Sequence, residues 1–169
     1  MRVRKVVTRS GVNIRGKFPS RKLNKPVHWE CLPERDAILM FEMHPLVLSY
    51  QEQPLKETYY DEAGMPHQCY PDFLLRLVGG SELIVEVKRT VDLNRPSVKR
   101  KLGQIALRFS ELGRPYRVIT EGDIRREPLH SNLKRLWKSV RSIRIGRETL
   151  DVIDALSVDA DRKLTSKAV

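Results

Sequence analysis

Two apolar runs separated by Val78-Gly79-Gly80-Ser81 place the strongest constraint on what this chain can fold into. Two adjacent glycines between apolar runs favour a β-hairpin, because glycine adopts the positive φ angles that tight turns require. Side chains alternate along a strand, so each charged residue in such a run points to a defined face. The sequence therefore predicts a hairpin over residues 72–88, whose register decides which charges meet.

Three charged residues of this hairpin are candidates for a functional site. Asp72 comes just before the first run, and Glu86 and Lys88, two residues apart in the second run, share one face. Burying such groups unpaired is costly, and a cation beside the acids together with an anion beside the lysine would relieve the cost. Carboxylate oxygens suit Mg²⁺, which takes few protein ligands. The alternative is a plain hairpin with surface charges.

The register of the hairpin distinguishes these interpretations. A two-residue turn at Gly79-Gly80 pairs Asp72 with Val87 and puts Asp72 on the face opposite Glu86. A three-residue loop of residues 78–80, or a bulge, instead sets Asp72 across from Glu86. We therefore predict an odd-length connection or a bulge, with the two carboxylates close enough to share one cation.

Charge is unevenly distributed along the 169 residues, whose net charge is +11. Residues 1–29 hold nine Lys and Arg and no acid, residues 30–92 hold twelve acids and five bases, and residues 93–147 are basic again. An acidic centre between basic flanks fits a metal site within a surface that binds a polyanion such as nucleic acid. Each basic run, taken alone, can equally be a solvated face.

Other features argue against several classes of protein. No apolar run reaches the length of a membrane span or forms the core of a signal peptide, so we expect a cytoplasmic protein without a membrane partner. Cys31 and Cys69 are isolated and the four histidines are scattered, which argues against a zinc site or a disulfide framework.

The order of predicted elements indicates an α/β domain. Residues 1–28 are expected to form a basic arm with little regular structure, apart from a strand at Arg2–Val7. A folded domain at 29–140 and a short helical extension at 141–169 follow.

Periodicity predicts helices at 29–44, 97–112, 132–140 (capped by Ser131) and 148–156, and strands at 46–53, 55–60, 72–78, 82–88 and 116–120. The first strands are expected to form an antiparallel meander, in which the strand at 55–60 turns at 61–64 into the Pro-Asp strand. This is the αβββαβ order of a restriction-endonuclease-like core, a mixed sheet flanked by helices.

One more acid is a candidate for the site. Glu34 falls on the apolar stripe of the first helix, between Ile38 and Phe41. It is either a first-turn acid favoured by the helix dipole or a third metal-site acid delivered from a helix packed on the sheet. Glu42 lies further round the helix and is a weaker candidate.

A series of motifs in unbroken order over residues 15–140 resembles the TnsA-like endonucleases, which belong to the PD-(D/E)xK nuclease superfamily. The motifs are Gly16-Lys17-Phe18-Pro19-Ser20, Trp29-Glu30-Cys31-Leu32-Pro33-Glu34-Arg35-Asp36, Gln53-Pro54, Tyr70-Pro71-Asp72-Phe73, Val85-Glu86-Val87-Lys88 and Val118-Ile119-Thr120-Glu121.

The resemblance implies a set of site residues. The family's catalytic acids fall on Glu34 and Asp72 and its lysine on Lys88, while Glu86 stands where the best-known members carry glutamine. Glu34, Asp72 and Glu86, with the Val87 carbonyl, are then expected to bind Mg²⁺, for which Mn²⁺ substitutes.

The resemblance also implies an activity and partners. It predicts a metal-dependent endonuclease that cuts double-stranded DNA to 5′-phosphate and 3′-hydroxyl ends. Such a subunit cuts the 5′ ends of a transposon beside a DDE transposase subunit (TnsB-like) and an ATP-dependent regulator (TnsC-like). About thirty residues follow Val140, fewer than the C-terminal domain that contacts this regulator, so that contact stays open. A restriction or repair nuclease of the same fold and a non-catalytic DNA-binding assembly subunit remain alternatives.

Overall fold

The computed structural model describes residues 14–142, without the side chain of Arg141. Contacts divide the chain into two compact units, Met1–Lys134 and Arg135–Val169, and the described part of the second unit, residues 135–142, is helical. The strands are β1 (Gly16–Ser20), β2 (Lys25–Trp29), β3 (Val47–Glu52), β4 (Glu57–Tyr60), β5 (Pro66–Cys69), β6 (Phe73–Leu77), β7 (Glu82–Lys88) and β8 (Tyr116–Thr120). The helices are α1 (Leu32–Met43), α2 (Thr90–Leu93), α3 (Pro96–Glu111), α4 (Glu121–Ile124) and α5 (Leu129–Ser142).

A mixed four-stranded sheet in the order β3-β6-β7-β8 forms the centre of the first unit. The strands β3, β6 and β7 are antiparallel neighbours, and β8 is parallel to β7. Helix α1 packs on one face, where the ring centroids of Phe41 and Phe73 are 5.4 Å apart. On the other face Leu74 and Ile84 form one buried cluster with residues of α3. The order α1, β3, β6, β7, α3, β8 confirms the predicted restriction-endonuclease-like core.

Helix α3 follows from its sequence pattern. Its buried residues, Leu102, Ile105 and Phe109, recur at helical spacing, and Pro96 occupies the first turn, where a missing N–H costs no hydrogen bond. Gly113, at a φ of 63°, ends the helix in a left-handed conformation. The predicted helix at 97–112 is therefore confirmed within one residue at each end.

The strand predicted at 55–60 does not join the central sheet. It forms β4, which pairs with β5 in a separate two-stranded sheet, while β3 pairs directly with β6. The predicted meander is therefore wrong at this point. The reason is the turn after Tyr60, where Asp61 accepts the backbone N–H groups of Ala63 and Met65 and returns the chain into β5 before the Pro-Asp segment begins.

The expectation of an irregular arm is wrong for residues 16–28. These residues form the β1–β2 hairpin, which buries Phe18 and Val27, and its turn is fixed to α1 through Glu42. Local sequence does not reveal these hydrogen bonds, because Glu42 and the turn that it binds are about twenty residues apart. The folded domain thus includes residues expected in the arm, and the predicted strand at Arg2–Val7 lies outside the described residues.

Two helix boundaries also differ from the prediction. Trp29 pairs with Gly16 in the β1–β2 hairpin and Cys31 is extended, so α1 begins at Leu32 instead of Trp29. Helix α5 begins at Leu129, which places the predicted cap, Ser131, inside the helix. The predicted helix at 148–156 lies outside the described residues. None of the helices within residues 14–142 combines the length and apolarity needed to cross a bilayer.

Candidate active site

The hairpin between β6 and β7 has a three-residue loop. Leu77 donates its N–H to the carbonyl oxygen of Ser81 at 2.9 Å, which leaves Val78, Gly79 and Gly80 as the loop. Both glycines have positive φ angles, of 89° and 82°, a conformation that residues with a Cβ rarely adopt. The odd-length connection predicted from the sequence is therefore confirmed.

This loop sets the register that brings the acids together. Phe73 pairs with Val85, so the preceding residue, Asp72, lies across from Glu86, one position beyond the paired residues. The Val87 N–H donates to Asp72 Oδ2 at 2.7 Å, which fixes the carboxylate against β7. By strand alternation Asp72 and Glu86 lie on the α3 side of the sheet, together with Leu74 and Ile84.

Lys88 completes this group. Its Nζ lies 2.5 Å from Glu86 Oε1, and Glu86 is largely buried while Lys88 is partly exposed. Burial disfavours the ammonium, but the carboxylates of Glu86 and Asp72 outweigh burial and raise the pKa of Lys88. Lys88 therefore stays positively charged beside the acids.

The surroundings of Asp72, in contrast, favour its neutral form. Burial, and next the negative charge of Glu86, raise the pKa of Asp72 well above its usual range, and the charge of Lys88 and the Val87 N–H offset this only in part. A carboxylate in such surroundings gains from a nearby cation, because the cation favours its charged form. Two carboxylates and the Val87 carbonyl are hard oxygen donors, which is the chemistry that Mg²⁺ prefers.

Glu34 lies in the first turn of α1, on the side of the helix that approaches Asp72. In the first turn of α1, its Oε2 accepts the N–H of Glu30 at 2.7 Å and its Oε1 lies 3.4 Å from Cys31 Sγ. It also lines one small cavity with Asp72. Burial raises the pKa of Glu34, and the charge of Lys88 lowers it in part. Glu34 thus ties the first turn of α1 to the residues before it and lies within electrostatic range of Lys88 and Asp72.

A ready-made cluster of three acids is not present. Within residues 14–142 no three His, Cys, Asp or Glu side chains are grouped so that they could hold a metal ion. The hydrogen bonds explain part of this, since Lys88 lies on Glu86 and Glu34 turns one oxygen to the Glu30 N–H. The structure therefore brings Asp72, Glu86 and Lys88 together, while Glu34 as a metal ligand stays a prediction.

Gln53 and Glu30 belong to this region although sequence reasoning gave them no role. Gln53 donates its N–H to the Asp72 carbonyl at 2.8 Å and its side-chain Nε2 to Glu30 Oε1 at 2.6 Å. Its φ of 41° is strained for a residue with a Cβ, and strain of this kind clusters at functional sites. Gln53 thus ties the end of β3 to Asp72 and to the start of α1. The Gln-Pro pair is the only signal in the sequence, and it does not show the backbone conformation.

Tyr116 is a second residue that the sequence did not indicate. Its hydroxyl is buried and has no hydrogen-bond partner among the described residues, and its ring stacks on Phe109 of α3. Burial, and then the charges of Glu86 and Asp72, raise the pKa of Tyr116. A buried hydroxyl that stays protonated therefore lies within electrostatic range of the acid pair.

Comparison with known families agrees with this geometry. Residues 44–121 match the family described as TnsA-like endonuclease N terminal. The matched range runs from the end of α1 to the start of α4, so it includes Asp72, Glu86 and Lys88 but not Glu34. No curated protein matches the chain. Over residues 44–121 the match confirms the resemblance to the TnsA-like endonucleases drawn from the sequence motifs.

Proposed function

We propose that the chain is a metal-dependent endonuclease that hydrolyses phosphodiester bonds of double-stranded DNA and leaves 5′-phosphate and 3′-hydroxyl ends. The observation that carries this proposal is the three-residue loop, whose register puts Asp72 across from Glu86 with Lys88 on the same face. Two acids and a lysine converging at the end of a sheet are suited to an anionic substrate held by a cation.

The metal-binding part of the proposal concerns the oxygen donors. Asp72, Glu86 and the Val87 carbonyl would hold Mg²⁺, or Mn²⁺ in its place, and Glu34 would approach from α1. A divalent cation in such a site polarises the phosphate and lowers the pKa of its bound water. The raised pKa of Asp72 supports this assignment, because a cation would remove the unfavourable meeting of two buried carboxylates.

The chain's own residues then have separate tasks. The Val87 N–H holds one oxygen of Asp72, and the other oxygen would be the one to bind a cation. Lys88 keeps its proton, so it can stabilise the charge that develops on the phosphate or orient the attacking water. To do so, Lys88 exchanges its contact with Glu86 for one with the phosphate.

Cleavage of supercoiled plasmid with Mg²⁺, with Mn²⁺ and with EDTA tests the proposal. We expect nicked or linear product with either metal and none with EDTA. Asp72→Ala and Lys88→Ala should abolish cleavage while the fold and DNA affinity stay nearly unchanged. Glu82→Gln, a change to an exposed acid at the far end of β7, is the control and should cut normally. Cleavage by either site variant at the wild-type rate contradicts the assignment.

The partner role is a further part of the proposal. The family match supports action beside a DDE transposase subunit (TnsB-like), with an ATP-dependent regulator (TnsC-like) as a further partner, on the DNA of a bacterium or mobile element in the cytoplasm. The same assay with the cognate transposase and transposon-end DNA tests this role. Cuts mapped to the 5′ ends that appear only with the transposase support it, and DNA binding without cleavage under every condition indicates a non-catalytic assembly subunit.

A further inference from the structure

A basic segment follows the site lysine directly. Residues 89–101 hold five Lys and Arg and one acid, Asp92. The carboxylate of Asp92 already forms ion pairs with two of these bases, since Arg89 Nε lies 2.8 Å and Arg95 Nη2 3.6 Å from it. The other three bases are exposed and form no ion pair with any residue of 14–142; they are Lys99, Arg100 and Lys101. These three charges are available to an anion from outside the protein.

Two of these bases face a groove. Arg100 and Lys101, with the polar side chains of Ser97 and Gln104, form the α3 wall, and residues 61–63 of the β4–β5 turn form the other wall. We call this the α3 groove. Of the acids in the turn, Asp61 is 2.8 Å from His67 Nε2 and also accepts backbone N–H groups. Glu62 is exposed and is the acid that opposes an anion there.

The α3 groove lies on the same side of the sheet as the acid pair. Helix α3 and the hairpin of β4 and β5 both pack over Leu74 and Ile84, which share a face with Asp72 and Glu86. Cys69, at the end of β5, is within electrostatic range of both regions. Burial, and then the charge of Glu86, raise its pKa to about 11, and the charge of Lys101 lowers it. An extended anion could therefore contact Lys101 while one of its phosphates lies at the acid pair.

We propose that the α3 groove binds the sugar-phosphate backbone of double-stranded DNA beside the bond that is cut, with Arg100 and Lys101 on phosphates. This inference rests on the proposed function for its substrate, and it assigns the surface that holds that substrate. Such contacts position DNA but read no sequence directly, so sequence choice falls to other surfaces or partners.

Binding measured without cleavage tests the inference. The wild-type protein and an Arg100→Ala, Lys101→Ala double variant are titrated in EDTA onto a short fluorescein-labelled duplex, with fluorescence anisotropy read at several salt concentrations. Each phosphate contact contributes about 0.9 to the log–log salt slope, so losing two contacts should reduce its magnitude by about 1.8. We also expect affinity at low salt to fall at least tenfold.

The chain offers a matched control. Lys134 and Arg135 are also one Lys and one Arg, adjacent and exposed, on helix α5. Their double alanine variant makes the same change in net charge and should leave the slope nearly unchanged. Equal losses of affinity in the two double variants would show that binding follows net charge alone. An unaltered salt slope in the Arg100→Ala, Lys101→Ala variant would show that the α3 groove does not contact DNA. Either result overturns the inference.

Removal of a negative charge from the α3 groove provides a second test. Glu62→Gln removes the exposed acid from the α3 groove and should tighten binding, because a phosphate there would no longer be repelled. Unchanged or weaker binding by this variant contradicts the inference. Thermal unfolding of each variant separates a loss of binding from a folding defect. If the double alanine variant is unstable, the Arg100→Gln, Lys101→Gln double variant replaces it. Because EDTA prevents metal-dependent cleavage, failure of the proposed nuclease activity would not alter these readouts.

Discussion

Glu42 allows a quantitative prediction, because its buried carboxylate accepts four hydrogen bonds. Its Oε2 accepts from Ser20 Oγ and Tyr50 Oη, both at 2.6 Å, and its Oε1 accepts from the N–H groups of Arg21 and Lys22 at 2.8 and 2.9 Å. The residue is 7% exposed. One carboxylate near the end of α1 thus organises the turn of the β1–β2 hairpin and a side chain of β3.

The cost of removing this carboxylate follows from its partners. Hydrogen bonds to a charged group contribute about 1.5–3 kcal/mol each but are not additive within one network. Glu42→Ala leaves the donors without an acceptor, so we expect unfolding free energy to fall by about 3–5 kcal/mol, as when a buried charge network is broken. Glu42→Gln keeps one oxygen for the two N–H groups, and its amide can donate to the hydroxyl oxygens of Ser20 and Tyr50. The loss should then be only about 1–2 kcal/mol, the difference between charged and neutral bonds.

Urea unfolding followed by circular dichroism measures both values by linear extrapolation. Glu62→Ala, at an exposed acid, is the control and should change stability by less than about 0.5 kcal/mol. The reasoning is refuted if Glu42→Ala costs less than about 1 kcal/mol, or if the Gln variant is as unstable as the Ala variant. The first result would mean that the hairpin is not anchored by Glu42, and the second that charge alone matters.

Three further predictions concern the site and its loop. Glu34→Gln should weaken Mn²⁺ binding in a calorimetric titration if Glu34 reaches the cation, and unchanged affinity would leave it as a first-turn acid favoured by the helix dipole. Gln53→Ala removes the Nε2 donor to Glu30, whose N–H binds Glu34, so in the proposed nuclease it should lower the cleavage rate about 10- to 100-fold with little change in melting temperature. Gly79→Ala should destabilise by about 1 kcal/mol because φ is 89°, whereas Gly103→Ala, in helix α3, should stabilise by about 0.5–1 kcal/mol. No atom lies within 4 Å of a Cβ at either glycine, so equal signs in urea unfolding would contradict the argument from backbone conformation.

The local features of the site could be predicted because each depends on neighbouring residues. The two glycines and the alternation of side chains left two registers for Asp72 and Glu86, and the requirement that the acids share a face chose between them. The apolar stripe of α3 was enough to place that helix. A one-residue shift would have moved Asp72 to the other side of the sheet.

Features that depend on distant partners, or on a side chain that holds a turn, could not be predicted. The β1–β2 hairpin contributes few buried apolar residues and is held by Glu42, so residues 16–28 lacked a local pattern. The left-handed conformation of Gln53 depends on a hydrogen bond to Asp72, nineteen residues on. The separate pairing of β4 with β5 depends on the turn at Asp61, whose side chain accepts backbone N–H groups that no periodicity reports.

The position of Glu34 depends on how α1 is held, and charged contacts hold that helix along its length. Lys22 donates to the carbonyl oxygens of Phe41, His44 and Val47 at 2.5–2.9 Å, where a cation also complements the helix dipole. Near the other end, Asp36, 3% exposed, accepts from Arg125 Nε at 2.8 Å and so ties α1 to the end of α4. Neither contact lies at the acid pair. Because both fix the axis of α1, losing either one should displace Glu34 relative to Asp72, and the proposed cleavage should then fall although neither contact is at the acid pair.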